Sequence, residues 1–225
     1  EVRLAQALLF IAPLLWTVNY LVARWAPGVI GPHALALGRW TVAALVLAAF
    51  CHRELAARRA LIAAEWRQLL VLGAFGMWIC GAWVYIGGQT TTATNIALIY
   101  AAAPVGIAII SRRLLGEHQS AAQRLGMALA LAGVLFVIAK GDPRVLLSVS
   151  FTVGDLWILA AMLAWTAYSI LLVYWRTSFN ALERLCCMAA GGLVIMLPFA
   201  VQEWMALPQP LSLRAVSETS GFSPF

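Results

Sequence analysis

Seven runs of roughly twenty apolar residues, with nearly all of the charge placed between them, constrain this chain more than any single motif does. Crossing a hydrocarbon core of about 30 Å at 1.5 Å per residue takes roughly 20 residues of helix. Leu4–Ala23, Pro32–Phe50, Leu69–Gly87, Ala93–Leu115, Ala121–Ile138, Leu156–Tyr174 and Ala181–Val201 approach that length. The runs are continuous rather than alternating, which predicts helices and not a barrel. Only 11% of the residues are charged, against about a quarter in soluble domains. Mean hydropathy is +0.89. A water-soluble fold would lack the polar surface to cover itself, so the predicted class is all-α, a polytopic helical bundle in a lipid bilayer.

The formal charge of +6 is a topology signal and not a nucleic-acid footprint, because of where it falls. One side of the predicted bundle receives ten cations: Arg3, Arg53, Arg58, Arg59, Arg67, Arg112, Arg113, Arg124, Arg176 and Arg184. The other receives four, Arg24, Lys140, Arg144 and Arg214, while Arg39 lies inside a run. The positive-inside rule then predicts a cytoplasmic N-terminus and, for a bacterial protein, an inner-membrane location. The first run is too long for a signal-peptide core and has no small-residue cleavage site, so it is expected to be retained. Two connections are long: the Arg-rich stretch 52–68, expected to be partly an interfacial helix, and the loop 140–155.

Leu15-Trp16-Thr17-Val18-Asn19-Tyr20 in the first run is echoed by Ala164-Trp165-Thr166-Ala167-Tyr168-Ser169 in the sixth, at an offset of 149 residues. Five runs lie within one offset, so the second copy enters the membrane from the opposite side, as in inverted-repeat transporters. Chance similarity between two Trp-bearing helices is the alternative. The division predicted is a first five-helix repeat over 1–141, a linking loop over 142–155 and a partial second repeat over 156–225. A complete second copy would end near residue 290, about three helices beyond Phe225.

LLWTVNYLVAR, LGRWTVAALVL, TTATNIALIYAAAPVGIAIISRRLLGE and GMALALAGVLFVIAKG resemble the EamA-type drug/metabolite transporter superfamily. The similarity is strongest over 1–141, with Pro104, Leu115-Gly116-Glu117, Gly126 and Gly133 in the family's order. It implies ten helices in two inverted repeats, both termini cytoplasmic, and small metabolites moved through a central cavity by alternating access. The aromatic-rich helices are similar to the bacterial aromatic amino-acid exporter branch.

The candidate substrate-binding residues are Trp16, Asn19, Tyr20, Arg39, Trp78, Tyr85, Tyr100, Pro104, Trp165, Tyr168 and Ser169. Trp16, Asn19 and Tyr20 share a helical face; Trp165, Tyr168 and Ser169 are their counterparts. Trp78 and Tyr85, seven apart with Gly81 and Ala82 between, would flank a backbone-floored groove. Together they suit amphipathic or aromatic solutes, held by stacking and a few hydrogen bonds; ordinary helix packing is the competing explanation. Arg39 offers a fork of donors to a substrate carboxylate or an outer gate, or else snorkels to headgroups or pairs with a helix-end carbonyl. Pro104 frees the carbonyl of Tyr100 and kinks the fourth helix, as a hinge, a substrate contact or a plain bend. Trp25, Trp66, Trp175 and Trp204 are expected as interfacial anchors. The stripe Gly126, Ala130, Gly133 predicts close helix approach, internal or in a homodimer.

Other classes lack their residues. All nine acids fall in loops or at run ends, and His33, His52 and His118 are peripheral, which favours exchange or uniport over proton coupling. No paired aspartates, Ser–His set or GxSxG supports an enzyme. Cys51, Cys80, Cys186 and Cys187 have no ligand spacing, so neither metal nor cofactor is expected. Seven runs would suit a receptor, but the sole lysine, Lys140, is in a loop and the N-terminus is predicted inside. A non-transporting membrane subunit is the remaining alternative.

Overall fold

In a hydrocarbon core every backbone N–H and C=O needs an internal partner, and a helix supplies these within one segment. The computed structural model describes residues 11, 16–19, 21–23, 25–26, 28–139, 142 and 150–206, and its regular structure there is helical throughout. Residues 16–19 and 21–23 are helical. Then follow α1 (Pro32–Ala57), α2 (Arg59–Gly73), a π-helix (Ala74–Trp83), α3 (Val84–Gly88), α4 (Ala93–Ala101), α5 (Ala103–Leu114), α6 (Ala121–Ala139), α7 (Val153–Tyr174) and α8 (Ala181–Ala206). Five stretches are long and apolar enough to cross a membrane by length and composition: Pro32–Ala57, Arg59–Gly88, Ala93–Leu114, Val153–Tyr174 and Ala181–Ala206. They correspond to the second, third, fourth, sixth and seventh predicted spans, while α6 is a shorter apolar helix. Most of the first predicted span and the tail 207–225 lie outside the described residues.

The continuous rod of α2, π-helix and α3 is the most enclosed element, with half of its apolar window inside the bundle. On one side it meets α8, which also packs along α1; on the other it meets α7. α1 and α8 run antiparallel. At one end the Glu203 carboxylate accepts from the backbone N–H of Ala34 at 2.9 Å, and at the other Arg58 Nη1 lies 3.2 Å from Glu183. Glycine permits the α2–α8 crossing: a Cβ on Gly73 would stand 2.5 Å from the backbone nitrogen of Gly192. Trp40 of α1 packs against both buried clusters, one around Tyr85 and Ile158, the other around Leu72 and Tyr168.

Pro104, which has no N–H and whose ring crowds the carbonyl one turn earlier, interrupts the fourth run as expected. The helix breaks at Ala102 and resumes with Pro104 in the first turn of α5, within one span-length stretch. Other expectations change. Gly116, at φ +70°, follows the end of α5 in the left-handed conformation that suits a residue without Cβ. The Arg-rich connection is helical apart from Arg58. The sixth run starts earlier, at Val153, where Thr152 and Asp155 form a capping box. A Cβ at Gly126 or Gly133 would meet nothing within 4 Å, so the expected internal approach to this stripe is not made among the described residues.

Candidate functional site

Arg39 lies seven residues into α1, about 10 Å along its axis. Its side chain is half-buried and turns toward the first helical segment. Nη1 donates to Asn19 Oδ1 at 2.5 Å, and the same oxygen accepts from the Tyr85 hydroxyl at 2.6 Å. The guanidinium carbon stands 5.4 Å from the Trp40 ring centroid and 5.6 Å from that of Tyr85, within cation–π range. Three elements thus converge on one amide oxygen: the first helical segment, α1 and α3.

Around this group the polar accounting is incomplete. Arg39 Nε, Trp40 Nε1 and Trp78 Nε1 are buried with no hydrogen-bond partner among the described residues. Ion pairs among the described residues join His33 to Glu203 and Arg58 to Glu183, so the guanidinium meets no carboxylate there. Gly81 faces the cluster: a Cβ on it would lie 3.2 Å from Trp40 Nε1 and 3.3 Å from Arg39 Nη2. Gly81 and Trp78 both belong to the π-helix, a rare winding that recurs at functional sites. Its i→i+5 pattern also alters the α-helical face inferred for Trp78 and Tyr85.

The other candidates divide. Trp16 and Trp165 meet edge to face at 5.5 Å, and Trp165 lies 5.4 Å from Tyr168. Tyr168 is buried, with its ring against Gly76. Trp78 stacks on Phe199 at 4.6 Å, while Tyr100, partly buried, packs against the cluster that holds Tyr85. Ser169 turns its hydroxyl back to the Trp165 carbonyl at 2.8 Å, so it is spent within its own helix. Pro104 is exposed and borders a groove of about 360 Å³ facing α6, away from Arg39. Tyr20 lies outside the described residues. Two grooves lie along α5 and α6. Among the described residues the candidate aromatic rings pack on one another.

Several buried polar residues are not foreseen from the sequence. Asp155, 5% exposed, accepts from Thr91 and from the Asn95 amide at 3.1 Å. It also accepts from the Thr152 backbone at 2.5 Å and, at 3.3 Å, from its hydroxyl. Glu183, 1% exposed, accepts from the Asn180 N–H at 2.9 Å beside Arg58. Both acids stand three residues after a capping residue, Thr152-x-x-Asp155 and Asn180-x-x-Glu183, so the spacing alone could have flagged them. Ser120-x-x-Gln123 caps α6 the same way, and Glu117 takes no part in it.

Repeated membrane-length helices packed around a polar and aromatic cluster define a multi-pass membrane protein. Residues 3–139 match the model of the EamA-like transporter family, and the chain belongs to that family. It is similar to "Uncharacterized transporter YyaM" of Bacillus subtilis (strain 168), 28% identical over 150 residues, which cover 67% of this chain and 49% of that protein. An "Uncharacterized transporter" of Archaeoglobus fulgidus is 25% identical over 212 residues, 93% of this chain and 71% of that protein. The match thus spans about half the length of the Bacillus relative. No solved structure matches the chain.

Proposed function

We propose that this chain belongs to a transporter that exchanges or exports small metabolites, amino acids with aromatic side chains among them, by alternating access between inverted repeats. The observation that carries this reading is the pairing of repeat-related elements. α1 and α8 are each 26 residues long, begin at the 149-residue offset that separates Trp16 from Trp165, and lie antiparallel. Trp16 and Trp165 themselves touch. Equivalent helices meeting in opposite sense, and equivalent tryptophans touching where the first helical segment meets α7, suit two halves that rock about a shared axis. Under this reading 1–141 is the first repeat, 142–155 the link and 156–225 the opening of the second. The ten-to-four cation bias supports a cytoplasmic N-terminus in a bacterial inner membrane.

The acids with hydrogen bonds to other segments lie at helix ends, which favours exchange without proton coupling. The test is counterflow of L-phenylalanine and L-tryptophan into proteoliposomes holding the full-length protein. Flux that persists after a protonophore is expected, as is a loss of about tenfold or more for Asn19→Ala and Trp165→Ala with insertion retained. Absence of flux for amino acids and other small metabolites removes the transporter reading. Unchanged flux in both variants removes the assignment of those residues.

A further inference from the structure

The buried side-chain nitrogen and oxygen atoms without a partner among the described residues are Arg39 Nε, Trp40 Nε1 and Trp78 Nε1. All three are N–H donors. A packing defect would strand donors and acceptors alike, on scattered elements. Here one sign of polarity is left open, on two adjacent residues of α1 and on the π-helix that faces them. Gly81 Cα supplies the common floor, because the position its missing Cβ would take lies 3.2 Å from Trp40 Nε1 and 3.3 Å from Arg39 Nη2. What completes such a site must be an acceptor.

Charge narrows the class. The guanidinium is held among rings, its one hydrogen bond among the described residues goes to a neutral amide, and no carboxylate pairs with it there. A half-buried cation in that state is costly, and ordered water can meet its N–H groups but cannot neutralise it. With Nη1 committed to Asn19, the Nε and Nη2 edge presents two parallel donors, the arrangement that matches the two oxygens of a carboxylate. A phosphate, with a charge of about −1.5 to −2 at neutral pH, would bring more charge than a single guanidinium offsets. Asn19 and Tyr85 orient the fork without competing for its free edge.

We propose that Arg39 and the indole N–H of Trp40, over the bare backbone of Gly81, form a subsite for a carboxylate group of the transported solute. This rests on the transport reading and deepens it: the carboxylate docks on α1 while an aromatic or apolar remainder lies among the neighbouring rings. Trp78 contributes a further donor from the π-helix. In the absence of solute the donors are hydrated or unpaired, which biases the site toward occupancy.

Paired probes test this on the full-length protein in nanodiscs: benzoate against benzamide, and L-phenylalanine against L-phenylalaninamide. Binding is read as a saturable rise in thermal midpoint, and flux is read separately in proteoliposomes. At least one carboxylate should bind about tenfold or more tightly than its own amide. Trp40→Phe keeps the ring and the charge but removes the N–H, and should weaken that carboxylate about tenfold. Arg39→Lys keeps the charge but loses the fork, and should weaken it by a similar factor; Arg39→Gln should abolish the preference over the amide. Equal binding of acid and amide, no binding of either carboxylate, or undiminished preference in Trp40→Phe and Arg39→Gln overturns the subsite. Flux of solutes without carboxylate preference overturns the subsite and leaves the transport reading standing. Carboxylate binding with no flux does the reverse.

Discussion

Asp155 and Arg39 are both charged residues within helices apolar enough to cross a bilayer, and their surroundings differ in kind. The Asp155 carboxylate sits in the first turn of α7 and collects donors from Thr91, Asn95 and Thr152, so its acceptor capacity is filled by neighbours fixed in the fold. Its negative charge also lies at a helix N-terminus, where the backbone dipole favours it. The Arg39 guanidinium has one hydrogen bond and two ring faces, and its Nε is buried without an acceptor. One charge is closed by the protein; the other is left open in a defined direction. The first joins the turn after α3 to the start of α7, a fixed junction. The second is what a site that must bind and release a solute requires.

That contrast breaks most visibly at Asp155. Asp155→Ala strands the Thr91, Asn95 and Thr152 donors together and should cost about 3 kcal/mol of stability, seen as a large fall in thermal midpoint with any probe present. A fall no larger than that of an exposed substitution would mean the donors find other acceptors. Next comes Tyr85→Phe, which removes one of the two donors on Asn19 Oδ1 and leaves the ring under the guanidinium. A loss of about 1 kcal/mol is expected, together with weaker carboxylate binding, because Asn19 is then held by Arg39 alone. Arg58→Ala should do least to binding. Arg58 is 42% exposed, but its partner Glu183 is buried and Arg58 also donates to the Ser178 carbonyl, while Asn180 still donates to that carboxylate. A stability loss of about 1 kcal/mol or more is expected, with flux and probe preference unchanged.

Much of the bundle is legible in the sequence because the bilayer imposes a length. Five of the seven apolar runs coincide with the membrane-length helices, and the common length and offset of α1 and α8 follow the repeat seen in the Trp-Thr pairs. What escapes is whatever depends on a neighbour. The π winding of residues 74–83 is a local response to packing, which an α-helical periodicity cannot express, whereas the break at Ala102 follows from Pro104. Asn19, Arg39 and Tyr85 stand out singly as polar groups in apolar runs; that Asn19 Oδ1 serves both others appears only when three helices are placed together. Trp40 has no sequence signal beyond standing next to Arg39, and its importance lies in an unpartnered N–H that no pattern displays.

The difference between a closed and an open charge is tested most directly by the stability of Arg39→Met, measured as the thermal midpoint in nanodiscs with and without L-phenylalanine. An arginine at the centre of a span costs about 2.5–3.5 kcal/mol on insertion scales, and less toward its ends. Replacing one that no carboxylate among the described residues neutralises should therefore leave the solute-free protein about as stable as wild type, or more so, and should remove the rise in midpoint that the amino acid produces. A solute-free loss as deep as that of Asp155→Ala, with the response to L-phenylalanine intact, would show that Arg39 is a structural brace and that the open donors await no ligand.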